Sequence, residues 1–118
     1  MVDDERSLRK STAKFLERKG CCVLEAGDGK EALEVFRENR SEISIVLLDI
    51  SMPVMDGLEA FHELRKLDPS VEVLLFSGYS PEGEVEKLID EGAVGFLQKP
   101  VLPRELYSTL EKILTREG

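Results

Sequence analysis

The sequence predicts an α/β fold in which helices cover both faces of a parallel sheet. Short apolar runs alternate with segments of helical periodicity along the whole chain, which is the pattern of repeated βαβ units. Two runs, IVLLDI at 45–50 and VEVLLF at 71–76, are almost continuously apolar, as expected for strands buried on both faces. With 118 residues, the chain suits one domain spanning 1–118.

Five short, mainly apolar segments are predicted to be the strands. In chain order they are Met1–Val2, about 21–26, IVLLDISMP at 45–53, VEVLLFS at 71–77 and VGFLQ at 94–98. The first is far below the usual strand length of about 5 to 6 residues. We therefore expect the domain to begin a few residues upstream, or this edge of the sheet to be weakened, rearranged or supplied by a partner.

Five amphipathic segments are predicted to be helices. The first lies near 6–19 and ends at Gly20, because glycine favours the position after a helix. Asp28, with Glu31 three residues later, is typical of a helix start and predicts the second helix. The remaining helices are predicted to begin after Asp56-Gly57, at Ser80-Pro81 and at Pro103.

Charge and composition exclude several classes of function. Acidic residues outnumber basic ones 24 to 16, and no Lys/Arg stripe opposes the net charge of -8, so we expect no direct nucleic acid binding. No apolar run approaches the length of a membrane span or a signal-peptide core. The adjacent Cys21 and Cys22 are predicted to be small buried thiols in a reducing compartment. We expect a cytoplasmic protein without a membrane partner.

Aspartates stand at the predicted ends of two strands. Asp49 closes an apolar run, where an unpaired buried carboxylate would be costly, and Asp3 and Asp4 follow the first strand. In open parallel sheets, ligand sites lie beyond the carboxyl ends of the strands. If the first and third strands are neighbours, three carboxylates share one pocket and need a cation. Oxygen ligands without cysteine or histidine suit Mg²⁺.

Ser77 and Lys99 stand at the ends of the fourth and fifth predicted strands. An aspartate beside Mg²⁺, a lysine and a hydroxyl has the groups needed to accept a phosphoryl group, because cations neutralise the phosphoryl oxygens while the carboxylate attacks. Each residue also has an ordinary interpretation, such as helix capping for Asp3-Asp4, a strand-end hydroxyl for Ser77 or a solvated Lys99. Their joint placement favours a site.

Four motifs, in order, resemble the receiver domain of two-component response regulators over nearly the whole chain. They are Asp3-Asp4, LLDISMPVMDG around Asp49, Ser77-Gly78 and GFLQKP at 95–100. The resemblance implies a flavodoxin-like, doubly wound sheet of five parallel strands in the order 2-1-3-4-5, here with a truncated first strand. It also implies that Asp49 is the phosphoacceptor and takes a phosphoryl group from a histidine on a partner.

The resemblance implies roles for further residues. Asp4 would bind Mg²⁺ directly and Asp3 through water, with Asp49 and the backbone carbonyl of Ser51 also on the metal. Lys99 would bind the phosphoryl group. The other implied features are the switch hydroxyl of Ser77, the switch aromatic Phe96, tuning of dephosphorylation by Ser51 and Tyr79, and a cis peptide between Lys99 and Pro100.

The implied partners are a sensor histidine kinase or a histidine phosphotransfer protein as donor, and an effector outside this chain. A homodimer is compatible with the resemblance. SGYS at 77–80 followed by GFLQKP is similar to receivers at the C-terminal end of hybrid sensor kinases. Such a domain catalyses its own phosphorylation and dephosphorylation but turns over no separate substrate, unless it is part of a hybrid kinase.

The main alternative is a degenerate receiver that binds proteins independently of phosphorylation. Two enzyme-like alternatives fit the sequence less well. A flavin-binding module of similar fold would need a phosphate loop where Asp3-Asp4-Glu5 would repel the phosphate. A phosphatase with an aspartate nucleophile usually carries a second aspartate two positions later, where this chain has Ser51.

Overall fold

The computed structural model describes residues 1–50, 57–78 and 84–115, apart from the side chains of residues 57, 58 and 84. Within these residues the strands are β1 (Val46–Asp49), β2 (Val73–Ser77) and β3 (Gly95–Gln98). The helices are α1 (Arg6–Arg18), α2 (Gly29–Asn39), α3 (Gly57–Leu67), α4 (Glu84–Asp90) and α5 (Pro103–Thr115), and a short 3-10 helix (Arg40–Glu42) follows α2.

The three strands form one parallel sheet in the order β1-β2-β3. In the register, Val46 lies opposite Val73 and Leu74 lies opposite Gly95. Every residue of β1 and β2 is buried, which agrees with the continuous apolar runs in the sequence. The predicted parallel sheet is therefore confirmed.

Helices pack on both faces of this sheet. Successive strand residues point to opposite sides, so Leu48 lies in a core with Phe36 of α2 and Phe61 of α3. Leu47 lies in a second core with Leu16 of α1 and residues of α5 such as Leu110. This two-faced covering confirms the predicted layer architecture. Among the described residues, no helix combines the length and apolar character needed to cross a membrane.

The predicted ends of the helices are largely confirmed. The Asp28 carboxylate accepts a hydrogen bond from the Glu31 amide at 2.8 Å and so caps α2. Gly20 follows α1 with a φ of +94°, which glycine adopts without a steric cost. The predicted turn residue Asp56 and the predicted helix start at Ser80-Pro81 lie outside the described residues.

The predicted second strand at 21–26 is wrong. Val2 forms isolated parallel bridges with Ala26 on one side and with Leu48 on the other. These bridges occupy the places that the order 2-1-3-4-5 requires, but the described residues contain a three-stranded sheet, so the five-stranded order is not confirmed. The physical reason is that the first segment is too short to build a ladder along 21–26. Its contacts there are at the end of the segment, where the Met1 amino group donates to the Leu24 carbonyl at 2.7 Å and the Ala26 amide donates to the Met1 carbonyl at 3.0 Å.

The surroundings of the two cysteines also differ from the prediction. Cys21 is half-buried, but Cys22 is exposed, so the expectation of two buried thiols is wrong for Cys22. An apolar cleft of about 450 Å³ lies between this segment and residues 43–47, with Val23, Ile45 and Phe36 among its lining residues. Met1 and Val2 also line this cleft.

Adding about five apolar residues before Met1 is expected to stabilise the chain. The added segment could continue the pairing begun by Val2 and bury its side chains in the cleft, which should raise the free energy of unfolding by about 2 kcal/mol after the cost of ordering it. Urea denaturation would measure the gain, with an equally long Gly/Ser extension as the control. Equal midpoints for the two extended chains would contradict this expectation.

Candidate functional site

Four polar residues meet at the carboxyl edge of the sheet. Asp49 ends β1, Ser77 ends β2, Lys99 follows β3, and Asp3 follows the bridging Val2. The strands are parallel, so their carboxyl ends lie side by side. The relative exposures of Asp3, Asp49 and Ser77 are only 0%, 1% and 0%. Burial of polar groups at one place is costly unless they interact, which marks this edge as the candidate site.

Lys99 is the cation that compensates the buried carboxylates. Its Nζ lies 2.9 Å from Asp49 Oδ2 and 3.2 Å from Asp3 Oδ2. Glu5 Oε1 is a third, more distant partner at 3.5 Å. The ammonium also lies 5.4 Å from the centre of the Phe76 ring, within the range of a cation–π interaction. The charge of Asp49 at the end of an apolar strand is thus compensated by a lysine that follows another strand.

The main chain holds Lys99 at this position. Its amide donates a hydrogen bond to the Ser77 carbonyl at 2.9 Å, which joins the end of β3 to the end of β2. The peptide bond between Lys99 and Pro100 is cis. Because its backbone is tied to β2, Lys99 can direct its ammonium toward the carboxylates on β1 and after Val2.

Asp3 has an environment that disfavours its charge. Burial raises the pKa of Asp3 above its usual value, and the nearby Asp49 carboxylate raises it further, although the Glu5 amide and Lys99 act in the opposite direction. Its Oδ1 accepts a hydrogen bond from the Glu5 amide at 2.9 Å. Its Oδ2 is buried and accepts no hydrogen bond within the part of the chain that the structure describes. The same oxygen lies 3.2 Å from Lys99 Nζ, so the described residues compensate it through this ion pair.

Lys99 is strongly held in its charged form. Burial alone would lower the pKa of Lys99, but the Asp49 and Asp3 carboxylates outweigh burial and raise the pKa above its ordinary value of 10.5. The site therefore contains a permanent positive charge at neutral pH. Such a charge can neutralise an anionic group that arrives at Asp49.

Three aspartates are placed to bind a metal ion. Carboxylate oxygens of Asp3, Asp4 and Asp49 all lie within 4.8 Å of one another, and Asp4 is exposed while the other two are buried. Hard carboxylate oxygens with one side open to water suit Mg²⁺. The burial of two of these three carboxylates supports the same fit, because buried negative charges need compensation by cations. Ser51, whose carbonyl was predicted as a ligand, lies outside the described residues.

The remaining predicted residues lie around this pocket or outside the described part. In the register, Asp49 pairs with Phe76, so Ser77 stands one residue beyond Asp49 on the neighbouring strand. Phe96 is half-buried on β3, opposite Leu75, and packs against the core under α2 and α3. Tyr79 lies outside the described residues.

Glu5 is a member of the site that the sequence analysis missed as a functional residue. Its carboxylate contacts Lys99, and its amide supports Asp3. The available signal was the run of three acids Asp3-Asp4-Glu5. That run does not reveal contact with Lys99, because the two residues are 94 positions apart in the sequence.

Comparison with known proteins shows one consistent likeness. A family model described as the response regulator receiver domain matches residues 1–111. The chain is 35% identical over 117 residues to the sensor kinase CckA of Brucella abortus. The matched region covers 99% of this chain and 12% of the kinase. It is 32% identical to the chemotaxis protein CheY of Thermotoga maritima, covering 96% of this chain and 93% of CheY.

A solved structure shares this architecture. A chain in the crystal structure of the CheX–CheY–BeF3–Mg²⁺ complex from Borrelia burgdorferi superposes with a TM-score of 0.89 at 27% identity, covering 97% of this chain and 86% of that chain. The likeness extends over the parallel sheet and the helices on both faces. This chain spans only about an eighth of the kinase that it matches, so the activities of that whole protein do not transfer directly.

Proposed function

The chain belongs to the response regulator receiver domain family, and we propose that it accepts a phosphoryl group from a partner histidine onto Asp49 in a Mg²⁺-dependent reaction. The observation that carries the proposal is the buried Asp49 carboxylate at the end of β1, with Lys99 Nζ at 2.9 Å and two further aspartates around it. The flavodoxin-like receiver fold places this group at the sheet edge where ligands bind.

In the proposed transfer, an oxygen of Asp49 attacks phosphorus in line. The oxygen–phosphorus bond forms as the phosphorus–nitrogen bond of a phosphohistidine breaks, and the imidazole leaves with the bonding electrons and takes up a proton. Lys99 would turn from its carboxylate partners to an oxygen of the phosphoryl group, whose charge it neutralises. Burial of Asp49 supports this role because electrostatic stabilisation is stronger where water is excluded.

The metal site would be built by Asp3, Asp4 and Asp49, with the Ser51 carbonyl outside the described residues. Mg²⁺ bound there would supply positive charge to the phosphoryl oxygens and fix their orientation. The protein itself contributes the carboxylates and keeps Asp3 in place through the Glu5 amide. The family resemblance implies that Asp4 binds the metal directly and Asp3 through water, and the exposure of Asp4 supports its proposed direct contact.

Phosphorylation would act as a switch at the ends of β2 and β3. Ser77, buried beside the end of β1, would hydrogen-bond the phosphoryl group, and Phe96 would move inward with it. Both roles come from the family, and the positions of the two residues on adjacent strands support them. Ser51 and Tyr79, outside the described residues, are proposed to tune dephosphorylation.

The proposed partners are a histidine-containing donor and a separate effector. A relative of this chain is a sensor kinase, which supports a sensor histidine kinase or a histidine phosphotransfer protein as the donor and allows a place within a hybrid kinase. The net charge of -8 supports protein partners rather than nucleic acid, and we propose that these partners meet the chain in the cytoplasm. We propose that these 118 residues make no direct membrane contact and act alone or as a homodimer.

Incubation with acetyl phosphate should add a single phosphoryl group to the protein only when Mg²⁺ is present. Without the metal, the carboxylates of the pocket repel the incoming phosphoryl oxygens, so chelation by EDTA is expected to abolish the adduct. Intact-protein mass spectrometry measures the adduct directly. Ca²⁺ in place of Mg²⁺ is a useful comparison, because the larger ion fits octahedral carboxylate sites less well.

The opposite result would favour the degenerate receiver. A folded sample that shows no adduct with Mg²⁺ and acetyl phosphate would contradict the phosphoacceptor role. An adduct that is equally abundant in the presence of EDTA would contradict the metal dependence but not the acceptor role. The two parts of the proposal can thus fail separately.

A further inference from the structure

We propose that Arg9 is a positioning residue that fixes the peptide group between Asp3 and Asp4 and thereby sets the geometry of the metal site. This inference rests on the proposed function, because it assumes that Mg²⁺ binds at the aspartates. Arg9 lies on the first turns of α1, outside the four motifs that identified the site in the sequence.

The Arg9 guanidinium joins three parts of the chain. Nη1 donates a hydrogen bond to the Asp3 carbonyl at 2.7 Å, and Nε donates to Glu25 Oε1 at 3.0 Å. The side chain is only 12% exposed, so these bonds are shielded from water. A charge-assisted hydrogen bond of this kind is stronger than a neutral one, and the planar guanidinium directs both donors rigidly.

The direction of the Asp3 carbonyl determines how Asp3 and Asp4 are oriented relative to each other. This carbonyl belongs to the planar peptide that links Asp3 to Asp4, so its direction sets where Asp4 leaves the main chain. The Asp3 amide is already tied to the Ala26 carbonyl at 3.1 Å, and Asp3 Oδ1 accepts from the Glu5 amide at 2.9 Å. With Arg9 bound to the carbonyl, the backbone on both sides of Asp3 is held.

Glu25 supports Arg9 from the segment before α2. Burial would raise the pKa of Glu25, but hydrogen bonds from Arg9 and Lys10 lower it below its usual value, so the carboxylate is ionised at neutral pH. Space for the guanidinium comes from Gly27, where an added Cβ would lie 3.2 Å from Arg9 Nη1. The contacts therefore form a pocket for Arg9 beneath the metal site.

Lys10 provides a matched comparison within the same cluster. Its Nζ contacts Glu25 Oε2 at 3.2 Å, but its side chain is 50% exposed. In the described part of the chain, Arg9 bonds the Asp3 carbonyl and Lys10 bonds only Glu25. Arg9→Met and Lys10→Met thus remove the same charge from the same ion-pair cluster, but only the first releases the Asp3–Asp4 peptide.

The test compares Mg²⁺ affinity in the parent, Arg9→Met and Lys10→Met by isothermal titration calorimetry on the full chain. Loss of a residue that orients metal ligands typically costs 10- to 100-fold in affinity, so Arg9→Met is expected to raise the Kd about 10-fold. Lys10→Met should leave the Kd unchanged or slightly lower, because removing a positive charge favours a cation. Urea denaturation verifies that both variants are folded in the titration.

A second readout needs no metal. The Asp3 carbonyl ¹³C and Asp4 amide ¹⁵N resonances of Mg²⁺-free protein should shift in Arg9→Met and stay near their parent values in Lys10→Met. Equal Kd values for the two variants, or unshifted resonances in Arg9→Met, would overturn the inference. A parent that binds no Mg²⁺ would count against the proposed function instead, and the resonances alone would then decide whether Arg9 holds this peptide.

Discussion

Asp49→Asn is expected to abolish phosphorylation by acetyl phosphate completely. The amide has nearly the shape of the carboxylate but lacks its negative charge and its nucleophilic oxygen, so no acyl phosphate can form. Asp49 is 1% exposed and pairs with Lys99, and an uncharged amide removes only one of the crowded charges. The variant should therefore stay folded while intact-protein mass spectrometry shows no adduct.

Asp68→Asn is the matched control for this substitution. Asp68 lies in the turn between α3 and β2, at the opposite edge of the sheet, where its Oδ1 accepts from the Ser70 amide at 2.9 Å. The chemical change is identical, so the control should be phosphorylated like the parent. A full adduct on Asp49→Asn would show that Asp49 is not the acceptor, whereas loss of the adduct in both variants would show that the loss is not specific to Asp49.

The central sheet was predictable because its strands can be recognised from consecutive apolar residues in the local sequence. A strand buried on both faces must be apolar at consecutive positions, and residues 45–50 and 71–76 are nearly so. Their positions then located Asp49 and Ser77, because parallel strands align their carboxyl ends. The acid pocket followed from local sequence together with one topological rule.

The structure of the segment at 21–26 was not predictable from its sequence in the same way. CCVLEA has a strand-like composition, but strand formation depends on a partner, and propensity is a weak guide where none is present. Here Val2 supplies a single bridge on each side. The contact of Glu5 with Lys99 and that of Arg9 with the Asp3 carbonyl could not be predicted from local sequence either. Both depend on the direction of α1 relative to the pocket.

Lys99→Met is expected to lower the free energy of unfolding by about 3 kcal/mol or more at pH 7, the largest loss among the substitutions proposed for this chain. The substitution keeps the apolar stem but leaves the buried Asp3 and Asp49 carboxylates without their shared cation, and an uncompensated buried charge costs several kcal/mol. Urea denaturation in EDTA would measure the loss. Lys66→Met is the control, since Lys66 is 74% exposed and its pair with Glu63 should contribute less than about 1 kcal/mol.

The cost of Lys99→Met should depend on pH in a defined direction. The pKa of Asp3 is raised in the folded state, so protonation favours folding below the ordinary value of 3.8, and this advantage is lost as the pH rises through the folded-state pKa. The difference between variant and parent should therefore shrink on acidification. It should also shrink in alkali, because the raised pKa of Lys99 makes its contribution present below 10.5 and lost above the folded-state value.

Mg²⁺ should restore much of the stability that Lys99→Met loses. A cation bound to the aspartates of the folded state replaces part of the missing charge, and a ligand that binds only the folded state stabilises it in proportion to the logarithm of its concentration. The variant should therefore gain more from Mg²⁺ than the parent, in which Lys99 competes for the same oxygens. An equal gain in both proteins would show that ammonium and metal do not share these carboxylates. A loss of stability in Lys99→Met that does not depend on pH would show that the effect does not come from the charge of the lysine.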